Sequence, residues 1–327
     1  MSLSEIKNSL NKHDRFLITS HKRPEGDSFG SEMGMYLLLK KLGKEAVVVN
    51  EDLMPKNLDF IKFCDVLTTQ KAKRFKFDVA IVLDCGSFDR IGEVVDLVGS
   101  KLIVNIDHHV SNTRFGDANW VSSRASSASE MIFYLFEEMG VPVDREVALC
   151  LYVGILTDTG SFRFSNTTSK TLEVCSKLLK FKIDPKKISN LIYNRRSFSA
   201  MHVLGCALKD LKKDDGGLIS WMKITPQMLD EAGAKINECD DFIEFIRMIE
   251  SVEVAIIFYC LDESKIRVSF RSKGIVDVGK VASFFDGGGH ILASGAEIEG
   301  SIEEVERRVI KKVKEQTKIS PHSTLQD

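Results

Sequence analysis

Apolar residues in this chain come in short continuous runs separated by longer stretches of helical spacing. Residues 15–20, 47–50, 78–83 and 102–106 are dense in β-branched and aromatic side chains without in–out alternation, the pattern of strands covered on both faces. Residues 5–12 and 29–42 carry helical spacing, the second stopped by Gly43. Further helices are predicted over 125–139, closed by Gly140-Val141-Pro142, and over 145–158, whose interior is apolar all round and so must be buried. Helices over 169–182 and 185–194 follow. Strands that alternate with helices predict an α/β fold with a parallel sheet and right-handed crossovers.

Beyond residue 190 the pattern changes. Residues 191–210 read as a connector, which bounds a first domain over 1–190 and a second over 211–317. Asp214-Asp215-Gly216-Gly217 is a hairpin-type turn. It is followed by strands over 218–224, 252–261, 265–271 and 296–299, with helices over 227–232, 240–249, 276–285 and 302–314. The expectation is a parallel-sheet N-terminal domain and a smaller α/β C-terminal domain with a cleft between them. Residues 318–327 read as a frayed tail.

Composition narrows the function classes. A chain of 327 residues that is 43% hydrophobic can bury two cores without disulfide or metal staples. Its longest apolar runs, 147–156 and 252–261, fall short of the ~20 residues that span a bilayer. No membrane segment is expected. Seven scattered cysteines with no C-x-x-C pair read as reduced core thiols, and residues 1–14 are amphipathic rather than signal-like, so the cytoplasm is the expected location. A net charge of −2 argues against wrapping long duplex nucleic acid and leaves short anionic partners open.

The polar residues that matter stand where the apolar runs stop. His21 follows the first strand, and Glu25 and Asp27 flank Gly26 in the segment after it. Asp84 follows the strand over 78–83, and Asp107-His108-His109 follows the strand over 102–106. In an open parallel sheet these ends lie on one edge, where ligands bind. Asp158 closes a buried helix, where the macrodipole disfavours a carboxylate by ~0.3 to 1 kcal/mol and a cation would reverse the penalty. Five acids in one cleft would repel, and two divalent ions offset that most economically. Oxygen and imidazole donors without a thiolate favour Mn²⁺ or Mg²⁺ over a structural zinc. Such a pair, ~3.5 to 4 Å apart, activates a bridging water for in-line attack on phosphorus. In the second half, the backbone N–H groups of Gly287-Gly288-Gly289, with His290 and Arg271, are candidates for gripping a phosphate.

These motifs occur in a fixed order: His21-x-x-Pro24-x-Gly26-Asp27-x-x-Gly30-Ser31, Asp84, Asp107-His108-His109, Thr157-Asp158-Thr159-Gly160, and Gly287 to His290 with Gly295. In this the chain resembles, over nearly its whole length, the DHH phosphoesterase family with a DHH-associated C-terminal domain. That subgroup includes nanoRNases, pAp phosphatases and cyclic dinucleotide phosphodiesterases. The resemblance implies a homodimeric enzyme with two Mn²⁺ ions. His21, Glu25 and Asp84 would hold one ion, and Asp27, Asp84, His108 and Asp158 the other, with Asp84 bridging. Asp107 would orient the site, and His109 would contact the scissile phosphate or move a proton. Gly288, Gly289, His290 and Arg271 would hold a short oligonucleotide, a linear or cyclic dinucleotide such as pApA, or pAp. The sequence departs from the family at Glu25, where aspartate is usual, and at Ala293-Ser294-Gly295, where Ala-Ala-Gly is usual. Two rival readings stand beside this one: a manganese pyrophosphatase or polyphosphatase, and a nucleotide-binding regulatory protein whose catalysis Glu25 has weakened.

Overall fold

The computed structural model describes residues 3–262, 264–289 and 291–319. The chain divides into two compact units, Met1–Arg195 and Arg196–Asp327. The first is built on six strands: β1 (Arg15–Thr19), β2 (Glu45–Val49), β3 (Val66–Leu67), β4 (Val79–Leu83), β5 (Leu102–Asp107) and β6 (Ala118–Val121). They form a wholly parallel sheet in the order β3-β2-β1-β4-β5-β6. The continuous apolar character of β1 and β4 follows from burial on both faces. Phe16 and Ile18, with Val79, Ile81 and Leu83, enter a core on one side, while Leu17, Ala80 and Val82 enter a second core on the other. Burying one such aliphatic side chain contributes roughly 1.5 to 3 kcal/mol, so burial on both faces holds the central strands in place.

One face is covered by the helices Gly26–Lys41, Ala128–Met139 and Arg145–Asp158. The first and last of these lie against each other through glycines. A Cβ at Gly30 would sit 2.7 Å from the Cys150 carbonyl oxygen, and one at Gly26 would collide with the Thr157 side chain. This packing accounts for one difference from the sequence reading. The helix expected over 29–42 begins at Gly26, so Asp27 and Ser28 sit in its first turn rather than in a loop. Glycine has poor intrinsic helix propensity, but only glycine fits against Thr157.

The second unit holds a mixed six-stranded sheet made of β7 (Lys212–Lys213), β8 (Ile219–Ile224), β9 (Val254–Cys260), β10 (Lys265–Ser272), β11 (Gly288–Gly289) and β12 (Ala293–Glu299), ordered β11-β12-β10-β9-β8-β7. Only β8 and β9 pair in parallel. Alternate residues of β9 again feed two cores: Val254, Ile256 and Phe258 face one, and Ala255, Ile257 and Tyr259 the other. The helix Phe198–Lys209, within the stretch expected as a connector, packs Ala200, Val203, Leu204 and Ala207 into the second of these. The last strand is longer than the expected 296–299 because Ala293 and Ser294 pair with Arg271 and Phe270. The helix expected over 240–249 is confined to Ile243–Arg247, and that expected over 276–285 to Val278–Ser283, capped by Asp277. The final helix runs to Ile319, and of the tail expected over 318–327, residues 320–327 lie outside the described residues.

Candidate active site

The strand order puts β1, β4 and β5 side by side, so the residues that follow them meet at one edge. Asp84 is the hub. It follows β4 in a left-handed backbone conformation, φ 52°, which costs energy for a residue with a Cβ and turns the chain sharply at the strand end. Its carboxylate lies 3.6 Å from His21 Nε2, 3.5 Å from His108 Nε2 and 3.7 Å from His109 Nδ1. Burial alone would raise its pKa, but His108 and His21 outweigh that and hold the carboxyl well below its ordinary range.

The Asp-His-His stretch divides its labour. Asp107, the last residue of β5, is fully buried. One of its oxygens lies 2.7 Å from His109 Nδ1, and the other accepts from Asn112 Nδ2 at 2.6 Å. Asn112 also reaches Asn105 Oδ1 at 2.8 Å and the Cys85 carbonyl at 3.1 Å, which ties the turn after β5 to the end of β4. His108 brings its Nε2 to 3.5 Å from both Asp84 and Asp158. That nitrogen is buried and has no hydrogen-bond partner. Burial would lower its pKa, but the carboxylates of Asp84, Asp158 and Asp27 push it up to about 10.

Asp27 and Asp158 complete this side. Gly154 makes room for Asp27, since a Cβ there would lie 2.7 Å from Asp27 Oδ1. The Asp27 carboxylate accepts from the backbone N–H groups of Ala128 and Ser129 at 2.7 and 2.9 Å, the first turn of the helix Ala128–Met139. Helix N-terminal amides favour the anion, yet burial and the charge of Asp84 still push its pKa up to about 6. Asp158 ends its helix with its side chain about a third exposed, and Asn166 Nδ2 donates to its backbone carbonyl at 3.1 Å. Burial, with Asp27 and Asp84 nearby, raises its pKa.

Among the described residues, two sets of donors lie within 4.8 Å of one another: Asp84, Asp107, His108 and His109, and Asp27, His108 and Asp158. A buried imidazole nitrogen without a proton partner, facing two carboxylates, is what a divalent cation would satisfy, and the donor set of oxygens and imidazoles suits one. His21 reaches this cluster through Asp84. Glu25 does not join it. It precedes the helix Gly26–Lys41 as its N-cap residue, is exposed, and belongs to neither set.

The phosphate-gripping candidates lie in the second unit. Gly288 and Gly289 form the exposed strand β11, paired with Gly295 and Ser294. Two of the three glycines answer to packing: a Cβ at Gly287 would collide with the Gly295 carbonyl, and one at Gly289 would lie 2.5 Å from Ser294 Cα. Gly288 alone of the three faces open space. Arg271, half-buried on β10, donates to the Phe270 carbonyl at 3.0 Å and stands 3.7 Å from Glu244. His290 lies outside the described residues.

Sequence reasoning gave no role to Asn112, Asn166 or Ser28. Asparagine five residues past Asp107 has no spacing rule that marks it. Ser28 was legible only as a neighbour of Asp27.

A parallel α/β unit that gathers carboxylates and imidazoles at its strand ends, followed by a second unit with a glycine-rich strand, defines a class of phosphoester hydrolases. Residues 15–155 match the DHH family N-terminal domain, and residues 218–318 match the DHHA1 domain. The bifunctional oligoribonuclease and PAP phosphatase NrnA of Thermus thermophilus is 33% identical over 91% of this chain and 89% of its own length. The protein of the same name from Bacillus subtilis is 30% identical over 90% and 93%. A crystal structure of an exopolyphosphatase-related protein from Bacteroides fragilis matches with TM-score 0.92 at 27% identity, over 97% of this chain and 96% of that one. The chain belongs to the DHH phosphoesterase family, with a DHHA1 domain, and is a hydrolase. Among the described residues, no helix is long and apolar enough to cross a membrane.

Proposed function

We propose that this chain hydrolyses phosphoester bonds in short oligoribonucleotides and removes phosphate from pAp, using two divalent cations, with Mn²⁺ preferred and Mg²⁺ as the alternative. The observation that carries this is the buried, unpartnered His108 Nε2 facing Asp84 and Asp158 in a chain 33% identical to an oligoribonuclease and PAP phosphatase. In this reading Asp27, Asp84, His108 and Asp158 hold one cation, and His21 and Asp84 hold the other; Glu25 stands at the family's third position for it but is exposed. When bound, such a pair lowers the pKa of a water and stabilises charge on the phosphoryl oxygens. Asp107 holds His109 by its Nδ1 and so fixes the ring that faces the phosphate or moves a proton. Arg271, Gly288, Gly289 and His290 take the substrate's terminal phosphate or base side. Short oligonucleotides, linear or cyclic dinucleotides and pAp form the substrate set, and the active species is a cytoplasmic homodimer.

A panel of pAp, pApA, short RNA, cyclic dinucleotides, pyrophosphate and polyphosphate tests this with Mn²⁺ and after chelation. Hydrolysis of pAp and short RNA that chelation abolishes and Mn²⁺ restores supports the reading. The Bacteroides likeness gives weight to one rival, and cleavage of polyphosphate but not of pAp would install it. Dinucleotide binding without turnover, with activity gained on Glu25→Asp, would make the chain a sensor. Light scattering decides the homodimer.

A further inference from the structure

Ser28 lies in the first turn of the helix Gly26–Lys41 and is fully buried. Its Oγ is 2.7 Å from Asp84 Oδ2 and 3.1 Å from His21 Nε2, and that nitrogen is 3.6 Å from the same carboxylate oxygen. Proton counting makes this triangle unusual. His21 Nδ1 lies 2.7 Å from the Lys22 backbone carbonyl, which can only accept, so Nδ1 carries the ring proton and the neutral imidazole presents a lone pair at Nε2. The Ser28 hydroxyl has one proton, and the shorter contact, to the carboxylate, takes it. Three acceptor atoms thus face one another with a single proton among them. Either a proton on the imidazole or a cation between the three relieves that deficit.

Two features favour the cation. An imidazole whose other nitrogen donates to a backbone carbonyl is the usual arrangement of a metal-binding histidine. Donors on adjacent corners of an octahedron, each ~2.1 Å from its centre, stand about 3 Å apart, close to the three separations here. We propose that Ser28 Oγ is a protein ligand to the divalent cation on the His21–Asp84 side, in the role that the exposed Glu25 leaves open. This rests on the two-cation reading above. A neutral hydroxyl in place of a third carboxylate makes this the weaker of the two sites, because charge count sets the affinity of hard-cation sites.

The test is Mn²⁺ titration of the metal-stripped full chain, with free Mn²⁺ read by electron paramagnetic resonance. Wild type is expected to show a tight and a weak class of site. Ser28→Ala should raise the Kd of the weak class about tenfold and leave the tight class within about twofold, and Glu25→Ala should move the weak class less than Ser28→Ala does. Ser28→Cys keeps the size and the proton but exchanges a hard donor for a soft one, so Mn²⁺ affinity should fall and Cd²⁺ should give a sulfur-to-metal charge-transfer band. Unchanged Mn²⁺ affinities in Ser28→Ala, or Cd²⁺ bound to Ser28→Cys without that band, overturns the assignment. If Ser28→Ala does not fold by circular dichroism, Ser28→Cys decides. A wild type that binds no Mn²⁺ overturns both this inference and the functional reading. A wild type with two Mn²⁺ classes, one dependent on Ser28, that hydrolyses nothing in the substrate panel overturns the functional reading alone.

Discussion

Replacing Asp107 by asparagine keeps the side-chain shape and changes one oxygen to an amide nitrogen at a fully buried position. Both oxygens are committed, one to His109 Nδ1 at 2.7 Å and the other to Asn112 Nδ2 at 2.6 Å. The new nitrogen must therefore face one of two donors. Against Asn112 it creates a donor–donor contact, which costs about 1 to 3 kcal/mol of stability. Against His109 it forces the ring into the other tautomer, with the proton on Nε2 instead of Nδ1. In a serine-protease triad the comparable change lowers kcat about 10⁴-fold with the geometry intact. A general acid–base group contributes about 10² to 10⁴, so Asp107→Asn is expected to lower kcat on pAp by roughly that range, about 2.7 to 5.5 kcal/mol in the barrier. Steady-state kinetics with Mn²⁺ titrated in parallel separates the causes, because Asp107 also lies among the candidate metal donors. A kcat within about threefold of wild type at saturating Mn²⁺ refutes the orienting role. So does a loss of activity that added Mn²⁺ fully restores.

Three further outcomes are expected. Gly287→Ala should destabilise the second unit by about 1 to 3 kcal/mol in urea unfolding, because its Cβ meets the Gly295 carbonyl, whereas Gly288→Ala should leave stability unchanged and raise KM; equal effects on stability would remove the distinction. Burial pushes the Glu32 carboxyl up to about 8 from 4.5, so the folded state holds the extra proton between those values, and its contribution is full below pH 4.5 and lost as pH rises through 8. Glu32→Gln should flatten the pH–stability profile across that window by up to ~4 to 5 kcal/mol, and parallel profiles for wild type and variant would refute it. Mn²⁺ at 100 times its Kd should stabilise the chain by about 2.7 kcal/mol, seen as a rise in Tm that a chelator reverses; a Tm indifferent to Mn²⁺ would remove the cation from the reading.

The central strands were legible because β1, β4 and β5 lie under helices on one or both faces and so read as continuous apolar runs, and because side chains at the C-terminal ends of adjacent parallel strands must converge. That reasoning places His21, Asp84 and Asp107-His108-His109 from sequence alone. It misses β6, Ala118–Val121, whose residues are mostly half-buried and show no apolar run. It reads Gly26, Asp27 and Ser28 as loop because their local preferences say so, while the contact with Thr157 that overrides them is long-range. Asn112 and Asn166 are invisible for the same reason: their partners are set by how turns fold back, which no spacing encodes. The lack of a side chain at Gly287 and Gly289 is also demanded by β12, a cross-strand reason that the sequence does not display.

Asp27, Asp84 and Asp107 are all nearly or fully buried, and each is neutralised by different means. Asp27 has the amides of a helix start, Asp107 has an imidazole and an asparagine, and Asp84 has Ser28 with three imidazoles at its rim. Each device is local, so each carboxylate can be held in place while its neighbours change protonation or ligation. What the devices leave over is His108 Nε2, Asp158 and the outward faces of Asp84 and Asp27. These come from four separate elements and face one another, with His108 Nε2 3.5 Å from both Asp84 and Asp158. Burying an unbalanced polar atom costs several kcal/mol, so the fold carries that cost where the leftover atoms face one another. A cation that enters there needs little rearrangement of the protein, since the carboxylates are already anchored through contacts on their other sides. Anchoring and incompleteness are thus complementary: the hydrogen bonds that fix Asp27 and Asp107 leave His108 facing the carboxylates of Asp84 and Asp158, where either a proton on the ring or a cation balances them.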